Sequence, residues 1–308
     1  MSLNTAFSQL SIVIPAFNEQ HGIASTLKEL TSMASEAEII VVDDGSSDRT
    51  AEVALRHDKV IVAQHPFNRG YGAALKTGIN IATREHVAWF DADNEHRVSD
   101  LAAMASLITS RRLAAVIAQR RFSGPSPVRT LGKFFIRLAA RSLNLSAGKD
   151  INCGLRIFRR EVISRYVDLL PNGFSASITS TVILLERGYP IEFFPVELNP
   201  RVGESKVKIG DGFHAFMLVM RIFMLFAPMR VFLRAGVILF LAGLAYGLAS
   251  AISTGRGIPA GAVLLTLGGV VSGFFGLVAD QISQMRLSRY DRPIYRISSS
   301  SPPPDGET

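Results

Sequence analysis

Two long stretches almost free of charge dominate the last third of this chain. Val231–Ile252 is apolar apart from Arg234 near its start, and Ile258–Ala279 carries no charge. Each has about the 20 residues that a helix needs to cross a hydrocarbon core. The short segment Ser253-Thr254-Gly255-Arg256-Gly257 joins them, so the pair is predicted to form a transmembrane hairpin. The competing reading, two helices buried in a soluble core, needs an apolar body large enough to wrap both, and the remaining sequence offers none. Flanking basic residues set the orientation. Lys206, Lys208, Arg221, Arg230 and Arg234 precede the first span, Arg286, Arg289, Arg292 and Arg296 follow the second, and only Arg256 lies in the turn. Both termini are therefore expected in the cytoplasm. Gly210–Met229 mixes Phe and Met with Arg221. It reads either as an amphipathic segment in the membrane interface or as a helix packed on a soluble domain. Ser298–Thr308 is rich in Ser and Pro and is predicted to be disordered.

Before residue 206 the pattern is different. Ser11–Pro15, Glu38–Asp43, Val60–Gln64, His86–Phe90 and Ala114–Ala118 are short runs rich in Val and Ile and read as strands. Helical candidates lie between them near 19–33, 48–57, 70–82 and 98–111. That alternation predicts an α/β fold with a mainly parallel sheet, and the nearly continuous apolar strands suit a sheet covered on both faces. Ligands of such sheets sit beyond the carboxyl ends of the strands. The sole cysteine, Cys153, excludes an intrachain disulfide and a thiolate metal cage. The N-terminal segment lacks a basic region followed by a long apolar run and does not read as a secretory signal. The 33 Lys and Arg outnumber the 26 Asp and Glu, but the excess gathers near the membrane part and no nucleic-acid partner is expected.

Three groups of residues carry chemistry. Asp91-Ala92-Asp93-Asn94-Glu95 directly follows a strand, and two carboxylates one residue apart suit a hard cation such as Mg²⁺ or Mn²⁺ shared with phosphates. The bland alternative is a solvated acidic turn. Asp43-Asp44-Gly45-Ser46-Ser47-Asp48 ends another strand. One of its acids is placed to accept bonds from a base or ribose, while Ser46 or Ser47 is expected to cap the next helix. A basic series follows the fifth strand, Arg120, Arg121, Arg129, Lys133 and Arg137, with Arg201, Ser205 and Lys206 later. These suit a phosphate; anionic lipid heads are an equal alternative for Arg121, Arg137 and Lys208 and a weaker one for Arg201, Ser205 and Lys206, where a hydroxyl, a Gly and two cations crowd together.

Taken in order, Pro15–Glu19, Val42–Asp48, Asn68–Ala74, Asp91-Ala92-Asp93, Asp150–Arg156 and Arg201–Lys206 resemble family 2 glycosyltransferases, and within them the dolichol-phosphate mannose synthase and polyprenyl-phosphate glycosyltransferase branch. The resemblance covers about residues 10–208. It implies a GT-A fold in a cytoplasmic domain over 1–205, with interfacial helices at 206–230, the hairpin at 231–282 and a cytoplasmic tail at 283–308. It implies inverting transfer of a hexose from GDP-mannose or UDP-glucose to dolichyl or polyprenyl phosphate. By position, Pro15, Phe17, Glu19 and Asp44 would hold the nucleoside. Asp91, Asp93 and Glu95 would hold Mg²⁺ or Mn²⁺ and the diphosphate. Arg120, Arg129, Arg201, Ser205 and Lys206 would reach the lipid phosphate, and Asp150 and Asn152 would shape the sugar pocket. Two departures are visible. Asn94-Glu95 and His96-Arg97 stand where an apolar residue with Gln or Ser, then His-Pro, is common, and only Val202 separates Arg201 from Gly203. A processive synthase of the same superfamily would carry Gln-x-x-Arg-Trp beside the membrane, and the only Trp is Trp89. A non-catalytic membrane scaffold remains the other alternative. Glycines in both spans permit close helix packing, within the hairpin or between copies in a homo-oligomer.

Overall fold

The computed structural model describes residues 3–120, 150–199, 224, 228–255, 257–288 and 290. The chain divides into two compact units, Met1–Phe223 and Met224–Thr308.

In the first unit the β-branched runs become strands because both faces of their sheet are covered. These are β1 (Leu10–Ala16), β2 (Glu38–Asp43), β3 (Val60–Gln64), β4 (His86–Trp89) and β5 (Ala115–Arg120). Every residue of β1 and β4 is buried, as near-continuous apolar strands require. The helices between them are α2 (Gln20–Met33), α3 (Thr50–Leu55), α4 (Tyr71–Ile81) and α5 (Val98–Ser110), preceded by a short α1 (Leu3–Ser8). Five expected strands and four expected helices are thus present, with ends shifted by a few residues.

Two strands escaped the sequence reading. β6 (Arg156–Arg159) and β7 (Ile191–Val196) complete a seven-stranded sheet of order β3-β2-β1-β4-β6-β5-β7. β6 lies antiparallel to both β4 and β5, while the other pairings are parallel. Its sequence, Arg-Ile-Phe-Arg, is short and charged at both ends. β7 contains Pro195, which an edge strand tolerates because the missing N–H costs no ladder bond on the open side. The helices α6 (Arg160–Arg165) and α7 (Ala176–Glu186) flank the segment between these strands. A buried cluster joins Ile12, Ile14 and Val41 of the sheet to Leu27 and Leu30 of α2 and Leu101 and Met104 of α5. Trp89 and Phe158 pack on each other, ring centroids 4.8 Å apart.

The second unit is a helical hairpin, α8 (Pro228–Thr254) and α9 (Ala260–Ser288). Both helices are long and apolar enough to cross a membrane. At about 1.5 Å per residue each runs some 40 Å, beyond the 30 Å hydrocarbon core. α8 begins before its apolar run and α9 continues beyond its own, so Pro228–Arg230, expected in an interfacial segment, belong to α8, and 283–288, expected in the tail, belong to α9; apart from Met224 and Tyr290, the rest of both expected segments lies outside the described residues. Close approach is set at Gly236 and Gly269, where a Cβ on either would come within 2.7 Å or 2.6 Å of the other's carbonyl oxygen. Ser272 Oγ donates to Phe232 O across the pair at 3.1 Å. Outward apolar side chains stay bare, including Ile238 (67% exposed), Leu264 (69%) and Phe274 (64%). A pair of buried soluble-core helices would not leave them so.

Candidate active site at the carboxyl ends of the strands

β1 and β2 end side by side, with Ala16 opposite Asp43, and the loops beyond them are laced together. Asp44 N–H donates to Ala16 O at 2.8 Å. Asn18 N–H donates to Ser46 Oγ at 2.9 Å, and Asn18 Oδ1 accepts from Ser47 N–H at 2.8 Å. The two serines therefore bond across to the β1 loop. They do not cap α3, as expected from the sequence. Asp48 serves that helix instead, accepting from Thr50 N–H at 2.9 Å. Burial works against its charge, but the bonds from Thr50 and Gln20 outweigh burial and hold its pKa below the usual carboxylate value.

Asp44, expected at the nucleoside, is 3% exposed. Its carboxylate accepts from Arg69 N–H at 2.9 Å and Gly70 N–H at 2.7 Å, and Oδ1 lies 2.6 Å from His65 Nδ1. His65 Nε2 in turn meets Thr77 Oγ1 at 2.9 Å. Asp44 thus brackets the Asn68-Arg69-Gly70 loop to the rim and aims the start of α4. Pro15 is buried within β1, Glu19 N–H donates to Thr50 Oγ1 at 2.9 Å, and Phe17 stands 38% exposed at the rim.

The second part of the rim follows β4. Phe90 N–H donates to Val13 O at 3.0 Å, which carries the strand's alignment up to Asp91. Thr26 Oγ1 of α2 donates to Ala92 O at 3.1 Å. Asp91 Oδ1 accepts from Tyr71 Oη at 3.0 Å. Burial, and next the Asp91 charge, raise the Tyr71 phenol well above its ordinary pKa, so it stays protonated as the donor. Tyr71 stacks on Phe174, 5.3 Å between centroids. His96 is buried with Nε2 3.8 Å from Asp91 Oδ2, and its Nδ1 has no hydrogen-bond partner among the described residues. Burial lowers its pKa to about 4, against the opposing charge of Asp93.

Beyond Asp91 the chain turns tightly. Asn94 adopts φ 59°, and Glu95 N–H donates to Asp93 Oδ1 at 3.2 Å. Asn199 N–H clasps the turn through Glu95 O at 2.9 Å, and Arg97 Nε donates to Asn199 Oδ1 at 3.0 Å. The expected trio Asp91, Asp93 and Glu95 is not gathered as a cage: no group of three or more His, Cys, Asp or Glu placed to hold a metal occurs among the described residues. Two carboxylates at a strand end still suit a hard cation, leaving its other positions to phosphate oxygens and water. The wall beside them agrees with that use. Gly154 approaches Asp91 so closely that a Cβ there would sit 1.9 Å from Oδ2, so backbone alone bounds the carboxylate on that side.

Arg120, expected at the acceptor phosphate, forks onto Asp150, with Nε 2.5 Å from Oδ2 and Nη2 3.2 Å from Oδ1. Burial opposes its charge, but the Asp150 hydrogen bond and charge outweigh that and raise its pKa. The pair is lopsided in exposure, 39% for the Arg120 side chain and 6% for Asp150. Asp150 also accepts from Asn152 N–H at 3.1 Å, so this carboxylate shapes its own loop. Arg129, Arg201, Ser205 and Lys206, with Arg121, Lys133 and Arg137, lie outside the described residues. Tyr71, His96, Gly154 and Arg156 are the site residues that sequence reasoning passed over. Tyr71, Gly154 and Arg156 stood inside recognised motifs, but nothing local shows that Tyr71 and Gly154 meet Asp91.

Comparison with known proteins follows this geometry. Residues 11–167 match the family described as Glycosyl transferase family 2, and residues 227–285 match the GtrB C-terminal hairpin. A dolichyl-phosphate beta-glucosyltransferase of Trichomonas vaginalis is 33% identical over 65% of this chain and 66% of its own length. A dolichyl-phosphate hexose transferase of Haloferax volcanii is 27% identical over 65% of this chain and 87% of its own. Among solved structures, glucosyl-3-phosphoglycerate synthase from Mycobacterium tuberculosis, in complex with Mn²⁺, UDP and glucosyl-3-phosphoglycerate, superposes with a TM-score of 0.59. It is 20% identical and covers 71% of this chain and 82% of that one. This likeness shows the GT-A-like fold.

Proposed function

The chain belongs to glycosyl transferase family 2, and from that premise we propose that it transfers a hexose from a nucleotide-sugar to a polyprenyl phosphate, with inversion at the anomeric carbon. What carries the reading is one conjunction: a family 2 domain with Asp91 and Asp93 at its sheet rim precedes a hairpin of the GtrB kind on the same chain. Relatives named as dolichyl-phosphate sugar transferases support the acceptor class. GDP-mannose and UDP-glucose are the candidate donors, and the glucosyl relatives make UDP-glucose the first to try.

In this reading Pro15, Phe17, Glu19 and Asp44 form the nucleoside end of the site, Asp44 acting through the loop it brackets. Asp91 and Asp93 would hold a divalent cation, Mg²⁺ or Mn²⁺, which supplies charge neutralisation for the departing diphosphate. Tyr71 keeps the Asp91 carboxylate oriented. The nucleophile is an oxygen of the lipid phosphate. A phosphate monoester has its second pKa near 6 and is largely dianionic at neutral pH, so no strong general base is required. By the resemblance, Arg120, Arg129, Arg201, Ser205 and Lys206 would receive that phosphate. Catalysis then rests on holding two anions in line and stabilising the charge that develops. The hairpin would span the membrane with the catalytic domain and both termini in the cytoplasm, and the tether would raise the effective concentration of the lipid acceptor.

The test uses the purified full chain in detergent with radiolabelled UDP-glucose or GDP-mannose, polyprenyl phosphate, and Mn²⁺, Mg²⁺ or EDTA. One donor should yield lipid-linked sugar that requires both lipid and cation. Absence of transfer from either donor would retire the reading, and transfer undisturbed by EDTA would remove the metal from it. Arg129→Ala and Lys206→Ala should raise the KM for lipid phosphate more than that for donor.

A further inference from the structure

β6 opens with a guanidinium that solvent does not reach: Arg156 is 0% exposed. A cation in such a place is costly unless its donors are satisfied. Nε and Nη2 both donate to Cys153 O, at 2.9 Å and 2.5 Å, and Nη2 also reaches Ile151 O at 3.1 Å. Nη1 donates to Ser180 Oγ and Thr181 Oγ1 of α7, each at 3.0 Å, and to Ser177 O. Every one of these acceptors is an uncharged oxygen. The charge itself rests 5.5 Å from the ring of Trp89, the last residue of β4 and two positions before Asp91. Burial pulls the Arg156 pKa below its ordinary value. An apolar side chain would fill this volume at lower cost. What the planar fork adds is a tie between two carbonyls of one loop and the face of α7.

That loop ends at Gly154, whose missing side chain leaves room for Asp91 Oδ2, while Tyr71 Oη holds Oδ1 at 3.0 Å. The carboxylate is set between a phenol and a backbone wall, and the wall is held from behind by Arg156. We propose that Arg156 is a positioning residue for the donor, fixing the Ile151–Gly154 loop against Asp91 and so the orientation of the carboxylate that meets the donor's cation. The inference rests on the reading that Asp91 holds that cation. Arg156 itself takes no part in the chemistry. Lysine preserves the charge but not the fork, because an ammonium cannot reach two carbonyls and α7 in one plane.

The experiment is calorimetric binding of Mn²⁺ with UDP, and separately with GDP, to the full-length protein in detergent. Wild type is compared with Arg156→Lys and Gly154→Ala, alongside melting temperatures and the two substrate KM values. Both variants should bind the Mn²⁺–nucleotide pair roughly 10- to 100-fold more weakly, the range for losing a group that orients a metal ligand. The KM for lipid phosphate should stay within about twofold over the same comparison. Arg156→Lys that melts lower yet binds like wild type would overturn the proposal, as would equal losses toward donor and lipid. Should the lysine variant not fold, Ser180→Ala, which removes one acceptor of Nη1 and leaves Thr181 Oγ1 and Ser177 O in place, decides the matter by the same comparison of donor with lipid. Wild type that binds neither nucleotide with Mn²⁺ would overturn the donor reading itself, a result distinct from unchanged binding in the variants.

Discussion

Asp44 and Asp91 stand at matching places, one just beyond β2 and the other just beyond β4, yet the fold uses them differently. Asp44 is buried and accepts two backbone N–H groups of the 69–70 loop while meeting His65. Asp91 keeps 28% of its side chain exposed, with a phenol on one oxygen and the Gly154 backbone against the other. A strand-end acid in an α/β sheet is a bracket when neighbouring N–H groups take up its lone pairs, and is suited to be a ligand when part of it still faces solvent. Proximity to the rim does not distinguish the two.

The contrast can be broken by exchange. Asp91→Asn should cut transfer by about 10³-fold, because charge stabilisation at the diphosphate is lost, while the melting temperature stays within about 2 °C. A variant retaining a tenth of the activity would erase the distinction. Asp44→Ala should act on stability, costing about 3 kcal/mol in denaturant unfolding, since the buried His65 and two partly buried N–H groups lose their partner. A cost under about 0.5 kcal/mol would place Asp44 among ordinary surface acids. Tyr71→Phe removes one bond to Asp91 and should lower transfer about tenfold. Burial and the Asp91 charge keep the phenol protonated well past its ordinary pKa, so the loss should be the same at pH 6 and pH 9. A deficit that vanishes at pH 9 would mean that the phenol has ionised by that pH, against the raised pKa that burial beside Asp91 implies. The smallest effect concerns the wall beside Asp91. Burial pushes the Cys153 thiol up to about 11, so iodoacetamide at pH 8 should label it only after unfolding. Labelling of the native protein at the rate of a free thiol would show that the 151–154 loop opens.

The sequence alone was enough for the parallel strands and the helices between them, because each is written in a local pattern of residues, and for the hairpin, because two long runs almost free of charge flank a short turn. It also put Asp91 and Asp93 directly after a strand, which is where the structure has them. Asp44 looked as available as Asp91, since the residues beside each are similarly polar and only folding brings His65 and the 69–70 loop onto one of them. β6 was hidden for a related reason. Nothing in the Arg156–Arg159 run shows that Ile151, Cys153 and α7 surround Arg156 with oxygens, and nothing beside Pro195 shows that it lies in an edge strand. Periodicity records how one element meets its surroundings. Which distant segments supply those surroundings, and therefore which aspartate is bracket and which is suited to be ligand, was decided only by the tertiary structure, because hydrogen-bond partners far apart in the chain meet nowhere else.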